Sequence, residues 1–156
     1  MFFNFVEQIR DKFCFYENFQ QFNLCKTFKL GTTRGIHLQI NSGSEDRFIS
    51  CIRGKILDVT VDLRYSSTTL FHHNTVVLSE ENRMVNKIPR GFGHAYQCLS
   101  RYSECIYLHT GKYDPENSVT LSVSDPVFNI QWPLPNVNMS EKDRSAPNIT
   151  DIFKGF

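Results

Sequence analysis

Three residues stand out as candidates for acid–base chemistry. The segment Thr33-Arg-Gly-Ile-His-Leu-Gln39 places His37 and Gln39 on one face of an extended strand, with Ile36 and Leu38 on the other. If the apolar side packs on a core, the imidazole faces a cavity, and histidine is the side chain whose ordinary pKa lets it accept a proton near neutrality. A lone strand histidine more often serves a structural purpose. Tyr107 alternates with Cys105 and His109, opposite Ile106 and Leu108, so its hydroxyl either reaches a cavity or its ring merely fills a barrel. In Ser140-Glu-Lys-Asp143 the acid follows the serine at capping-box spacing, which by itself gives Asp143 a helix-capping task.

Metal ligation is disfavoured. Two histidines two residues apart on one strand would face a single ion, but the residue two after His37 is Gln39. His72 and His73 are adjacent and would point to opposite faces, although His37, His94 and His109 can still meet in space. Arg34, Arg47, Arg53, Arg64 and Arg90 recur at strand edges, where guanidinium forks grip a diphosphate or simply remain solvated.

These side chains need a β framework. Between residues 33 and 123, short runs of Val, Ile, Leu, Thr, Phe and Tyr are broken by Gly, Pro, Asn and Ser, the pattern of an antiparallel sandwich or barrel. The spacing predicts a hairpin with arms Phe48–Ile52 and Lys55–Leu63 around Arg53-Gly54. In the second arm Leu57, Val59, Val61 and Leu63 form an apolar face, and Ile56, Asp58, Thr60 and Asp62 a face polar enough to line a cavity. Further strands are predicted at Thr75–Leu78, Met84–Ile88, His94–Leu99, Glu104–His109 and Ser118–Val123. The segment Phe3–Phe22 reads either as an amphipathic helix or as a strand.

With 156 residues, 40% hydrophobic and 21% charged, the chain fits one globular domain, with an N-terminal arm over 1–22 and a C-terminal tail over 134–156. A net charge of +1 supplies no field to attract nucleic acid or a lipid surface, and no run of about 18 apolar residues spans a bilayer. Five cysteines without CxxC pairing argue against a disulfide framework and fit a reducing cytoplasm, as does the lack of a signal-peptide pattern.

Taken together, the segments Arg34–Gln39, Gly54–Arg64, Leu78–Asn82, Ile88–His94, Glu104–Tyr107, Tyr113, Asp125-Pro126, Ile130–Leu134 and Ser140–Asp143 resemble the dTDP-4-dehydrorhamnose 3,5-epimerase family. The resemblance runs in order over residues 23–147 and implies an all-β, cupin-type jelly-roll barrel. It implies an isomerase that needs no cofactor or metal and inverts C3, C5 or both of a nucleotide-linked 4-keto-6-deoxy sugar. In that reading His37 is the general base, Asp143 its hydrogen-bonded orienter and Tyr107 the acid on the opposite face. Arg34, Gln39, Arg47, His94, Tyr113 and Asn23 line the substrate site, and a homodimer is expected. For Arg34 and His37 to share that site, strict strand alternation must be broken by a twist at Gly35.

Three features depart from the family pattern. Arg47 stands where the family usually has lysine, and Gly91-Phe-Gly-His-Ala-Tyr96 replaces the commoner Gly-Phe-Ala-His-Gly-Phe. The family's N-terminal Arg-Gly-Phe-Phe-x-Glu strand is reduced at most to Lys12–Glu17. The nucleotide is therefore open between dTDP, CDP and GDP. A 3,4-ketoisomerase of the same substrate class and a non-catalytic sugar-nucleotide-binding cupin are the competing readings.

Overall fold

A computed structural model describes residues 18–149. The readings of Phe3–Phe22 as helix or strand, and of Lys12–Glu17 as a strand remnant, therefore lie wholly or mostly outside the described residues. Among the described residues, nine strands run in the order β1 (Gln21–Thr27), β2 (Thr33–Gln39), β3 (Arg47–Arg53), β4 (Lys55–Asp62), β5 (His73–Ser79), β6 (Val85–Ile88), β7 (Phe92–Cys98), β8 (Ser103–His109) and β9 (Ser118–Thr120). A short helix, α1 (Glu141–Arg144), follows them within the described residues. All strand pairs are antiparallel and form two sheets, a four-stranded one in the order β1-β8-β3-β6 and a five-stranded one in the order β5-β4-β7-β2-β9.

The predicted hairpin does not form, although both of its arms are strands. β3 pairs with β6 and β8, whereas β4 pairs with β5 and β7, so Gly54 is a corner between sheets. Gly54 has φ +74°, and a Cβ there would lie 2.1 Å from the carbonyl oxygen of Tyr102. The polypeptide turns there without closing a ladder because Cys51, before the corner, and Ile56, after it, both point into the space between the sheets.

The alternation of β4 sets up two environments. Val59, Val61 and Leu63 join Ile36, Leu38, Ala95, Leu121, Val123, Phe128 and Ile149 in a core on the outer face of the five-stranded sheet. The chain after β9 covers that face, with Trp132 donating its indole N–H to the carbonyl of Val123 at 3.0 Å. Burying each such aliphatic side chain contributes about 1.5–3 kcal/mol. The opposite face of β4 carries Ile56 into a second core between the sheets, with Ile49, Leu78, Ile88 and Cys98. Asp58, Thr60 and Asp62 share that inward face, and all three are buried. Among the described residues no helix is long and apolar enough to cross a membrane.

Candidate active site

Between the two sheets lies a cavity of about 300 Å³. The four-stranded sheet contributes Asn23 and Cys25 from β1, Arg47 from β3, and Tyr107 and His109 from β8. The five-stranded sheet contributes Arg34 and His37 from β2, and His94 and Tyr96 from β7.

Arg34 and His37 share this cavity because β2 is irregular. Its pairing with β7 shifts register between Arg34 and His37. Gly35 has φ +115°, in a region that L side chains rarely adopt, and a Cβ there would sit 2.5 Å from the carbonyl oxygen of His94. The expected local twist is thus present as a bulge.

His37 places Nε2 2.6 Å from Oδ1 of Asp143. Asp143 is fully buried in its side chain, while the imidazole of His37 is 37% exposed. Burial pushes the Asp143 carboxyl up, but hydrogen bonds from His37, the Ser140 hydroxyl and the Gly35 N–H outweigh it and hold the group below its ordinary value. A carboxylate only accepts, so Nε2 carries the hydrogen and Nδ1 remains the basic atom. The capping expectation also holds, because the Ser140 hydroxyl accepts from the Asp143 N–H at 3.1 Å as the N-cap of α1. The cap fixes the backbone that presents the carboxylate to His37.

His94 forms a second pair, with Nε2 2.5 Å from Oδ1 of the fully buried Asp58. The other carboxylate oxygen accepts from the Asn86 amide at 2.8 Å. Burial lowers the pKa of His94, and Asp58 opposes this only in part, so His94 is held towards its neutral form. His109 makes a third pair, its Nδ1 3.1 Å from Oε1 of Glu45. Each cavity histidine thus has its own carboxylate, and among the described residues no three His, Cys, Asp or Glu side chains converge as metal ligands.

Arg47 ties the two sheets together. Its Nη2 donates to the carbonyls of His37 at 3.0 Å and Phe92 at 3.1 Å, while its buried Nε has no partner. Burial draws the guanidinium pKa down, opposed by Glu45, Tyr107 and Asp58. Tyr107 is pushed well above the ordinary phenol value, first by burial and then by Tyr96 and other neighbouring groups, so it stays protonated. No hydrogen bond occupies its hydroxyl among the described residues. Tyr96, at the position where the family commonly has phenylalanine, uses its extra hydroxyl to meet Thr27 Oγ1 at 3.2 Å and Cys25 Sγ at 3.4 Å.

Two expected substrate contacts lie elsewhere. Gln39 spends its amide on the backbone, donating to Gly43 and Lys112 and accepting from the Asp114 N–H at 2.6 Å. Tyr113 is 58% exposed and does not border the cavity. Of the five arginines considered for a diphosphate, only Arg34 and Arg47 reach the cavity, and Arg34 already donates to the carbonyls of Thr33 and Asn138. Arg53 lies over the Tyr102 ring, Arg64 clasps Asp62, and Arg90 sits near Asp46. Sequence reasoning missed the cavity roles of Cys25 and Tyr96 and the carboxylates Asp58 and Glu45. For Asp58 the inward polar face of β4 was the available signal.

Residues 2–151 match the sequence model of the family described as dTDP-4-dehydrorhamnose 3,5-epimerase. The chain belongs to this family. It is 42% identical over 120 residues to a dTDP-4-dehydrorhamnose 3,5-epimerase from Methanothermobacter thermautotrophicus, covering 74% of this chain and 63% of that protein. Its fold is similar to a dTDP-6-deoxy-D-glucose-3,5-epimerase from Legionella pneumophila, solved in complex with dTDP-4-keto-L-rhamnose. That likeness has a TM-score of 0.87 and 31% identity, covering 98% of this chain and 81% of the other. A 3'-monoepimerase from Streptomyces bikiniensis in complex with dTDP-quinovose is similar at a TM-score of 0.82 and 27% identity, covering 92% and 73%. The matched part spans less than two thirds of several curated relatives, including 65% of one from Mycobacterium tuberculosis. The two-sheet architecture is the cupin-type jelly roll of these epimerases.

Proposed function

We propose that the chain epimerises a nucleotide-linked 4-keto-6-deoxy sugar by removing a proton next to the C4 ketone. The reading rests on one arrangement above others, His37 held by the buried carboxylate of Asp143 in a cavity whose other sheet presents Tyr107. Nδ1 of His37 takes the proton from carbon, and the C–H electrons become the enolate double bond. Asp143 stabilises the resulting imidazolium.

Charge then develops on the ketone oxygen, where a fixed cation contributes several kcal/mol. Arg47 is the candidate, since its guanidinium is locked by two carbonyls and borders the cavity. Tyr107, protonated and on the other sheet, returns a proton to the opposite face and inverts the carbon. The ketone itself makes the C–H acidic, so the sequence of steps calls for no cofactor. A dTDP-linked sugar is favoured by the ligands of the Legionella and Streptomyces relatives.

A homodimer belongs to the same reading, because β1 is an edge strand that exposes Phe22 and Leu24 on its outer face. The test is mass gain in deuterated water with dTDP-, CDP- and GDP-linked 4-keto-6-deoxy sugars. Uptake with the dTDP sugar supports the reading, and none with any of the three contradicts it.

A further inference from the structure

The proposed reaction leaves a proton to be accounted for. After each inversion Tyr107 would be a buried tyrosinate, and its phenol must be recharged before the next turnover. Its surroundings resist that charge, since burial first, and then Tyr96, Cys105 and Asp58, push the hydroxyl well above its ordinary value.

His109 lies two residues further along β8, on the same inward face, and borders the same cavity. The Tyr107 and His109 rings are nearly parallel, inclined by 24° with centroids 6.1 Å apart. Nδ1 of His109 faces Glu45, whose side chain is only 5% exposed and whose Oε2 has no partner. Nε2 of His109 meets the Asn23 amide nitrogen at 3.3 Å, and the Asn23 oxygen already accepts from Gln21. The amide nitrogen donates, so Nε2 accepts and Nδ1 carries the hydrogen toward Glu45. His109 therefore resembles His37 in having one nitrogen held by a buried carboxylate, while its second nitrogen accepts from the Asn23 amide. Arg47 lies directly opposite His109 in the pairing of β3 with β8.

The geometry points to His109, oriented by Glu45, as the residue that recharges Tyr107. This inference rests on the proposed epimerase reading and adds to it. In the forward direction the Tyr107 O–H proton forms the new C–H bond and leaves the phenolate. With the Asn23 amide turned away from Nε2, protonated His109 then gives its Nε2 proton to that oxygen through cavity water, and solvent reprotonates the imidazole. His37 meanwhile releases to solvent the proton it took from carbon, so protons balance over the cycle. In reverse, neutral His109 takes the phenolic proton and Tyr107 becomes the base on its own face. A cavity of about 300 Å³ has room for the water this requires.

The test is rapid-quench kinetics of inversion with the dTDP-linked 4-keto sugar, comparing wild type and His109→Gln. Tyr107 starts protonated in both proteins, so the variant should complete a first turnover of roughly one product per site at near wild-type rate. Its steady-state rate should then fall about 10²-fold, and added imidazole should restore it. Glu45→Gln, which keeps the volume, should show the same split in milder form. A steady state equal to wild type in both variants would overturn the inference. So would a parallel fall of burst and steady state without imidazole rescue in folded protein. If wild type neither inverts nor exchanges, the epimerase reading itself falls and the relay with it.

Discussion

His37 and His94 stand directly opposite each other on β2 and β7, yet each is bonded to a different buried carboxylate, Asp143 at 2.6 Å and Asp58 at 2.5 Å. The difference between them is exposure. His94 is 4% exposed and held towards neutrality by burial, whereas the His37 side chain is 37% exposed. Of these two neighbours, His37 is the one whose imidazole is substantially open to solvent.

Asp143→Asn removes the negative charge and turns one acceptor oxygen into a donor, so the carboxylate that fixes the His37 tautomer is lost. The Ser140 cap survives because it uses the backbone N–H of residue 143. We expect turnover to fall about 10²–10⁴-fold with the melting temperature little changed. Steady-state kinetics beside thermal unfolding checks this, and wild-type turnover would refute it.

Arg47→Met removes both the cation and the strap to the His37 and Phe92 carbonyls. Turnover should fall about 10²–10³-fold. Arg47→Lys keeps the charge and a nitrogen able to donate to both carbonyls, but loses the planar guanidinium with its further N–H groups, so its rate should lie between the two. Equal rates for all three proteins would remove Arg47 from the mechanism.

Gly35→Ala tests the bulge that brings Arg34 and His37 to one cavity. The new methyl would meet the His94 carbonyl at 2.5 Å in a backbone with φ +115°. A loss of about 1–3 kcal/mol in stability is expected, together with most of the activity. Denaturant unfolding and the epimerisation assay measure the two effects, and an unchanged variant would mean the bulge is dispensable.

Asp62 gives a pH-dependent stability unconnected with catalysis. Its carboxylate accepts from the Arg64 side chain and backbone and from the hydroxyls of Ser67 and Thr69. Foremost the Arg64 bond, opposed by burial and helped by the two hydroxyls, holds its pKa well below the ordinary carboxylate range. A depressed folded pKa means the stabilisation is fully present above the unfolded value of about 3.9 and is lost as pH falls through and below it. Asp62→Asn should therefore cost about 1–3 kcal/mol at pH 7, with the gap to wild type closing below about pH 4. A gap that stays constant to pH 2 would contradict this.

Several strands were legible in the sequence because their alternation is regular and their apolar face packs on a core. β1 was not, since its inward residues are Asn23 and Cys25 while Phe22 and Leu24 face outward, inverting the usual rule. The false hairpin at Gly54 has a similar cause, because alternation reports which face is apolar and says nothing about which sheet a strand joins. Spacing put Gln39 on the same strand face as His37, but whether its amide meets a ligand or the 112–114 loop depends on contacts between distant segments. The pairing of His37 with Asp143, more than a hundred residues away, entered only through the resemblance of ordered motifs. His109 was visible as the alternation partner of Tyr107, but its carboxylate Glu45 became evident only in the folded chain.

The central claim is that His37 takes a proton from the carbon beside the ketone. Proton NMR of the dTDP-linked 4-keto-6-deoxy sugar in deuterated water follows the C3 and C5 signals directly. The account predicts that wild type replaces one or both hydrogens with deuterium as the inverted product appears, and that His37→Ala does neither. Exchange at the wild-type rate in His37→Ala, or inversion without deuterium uptake in wild type, would contradict it.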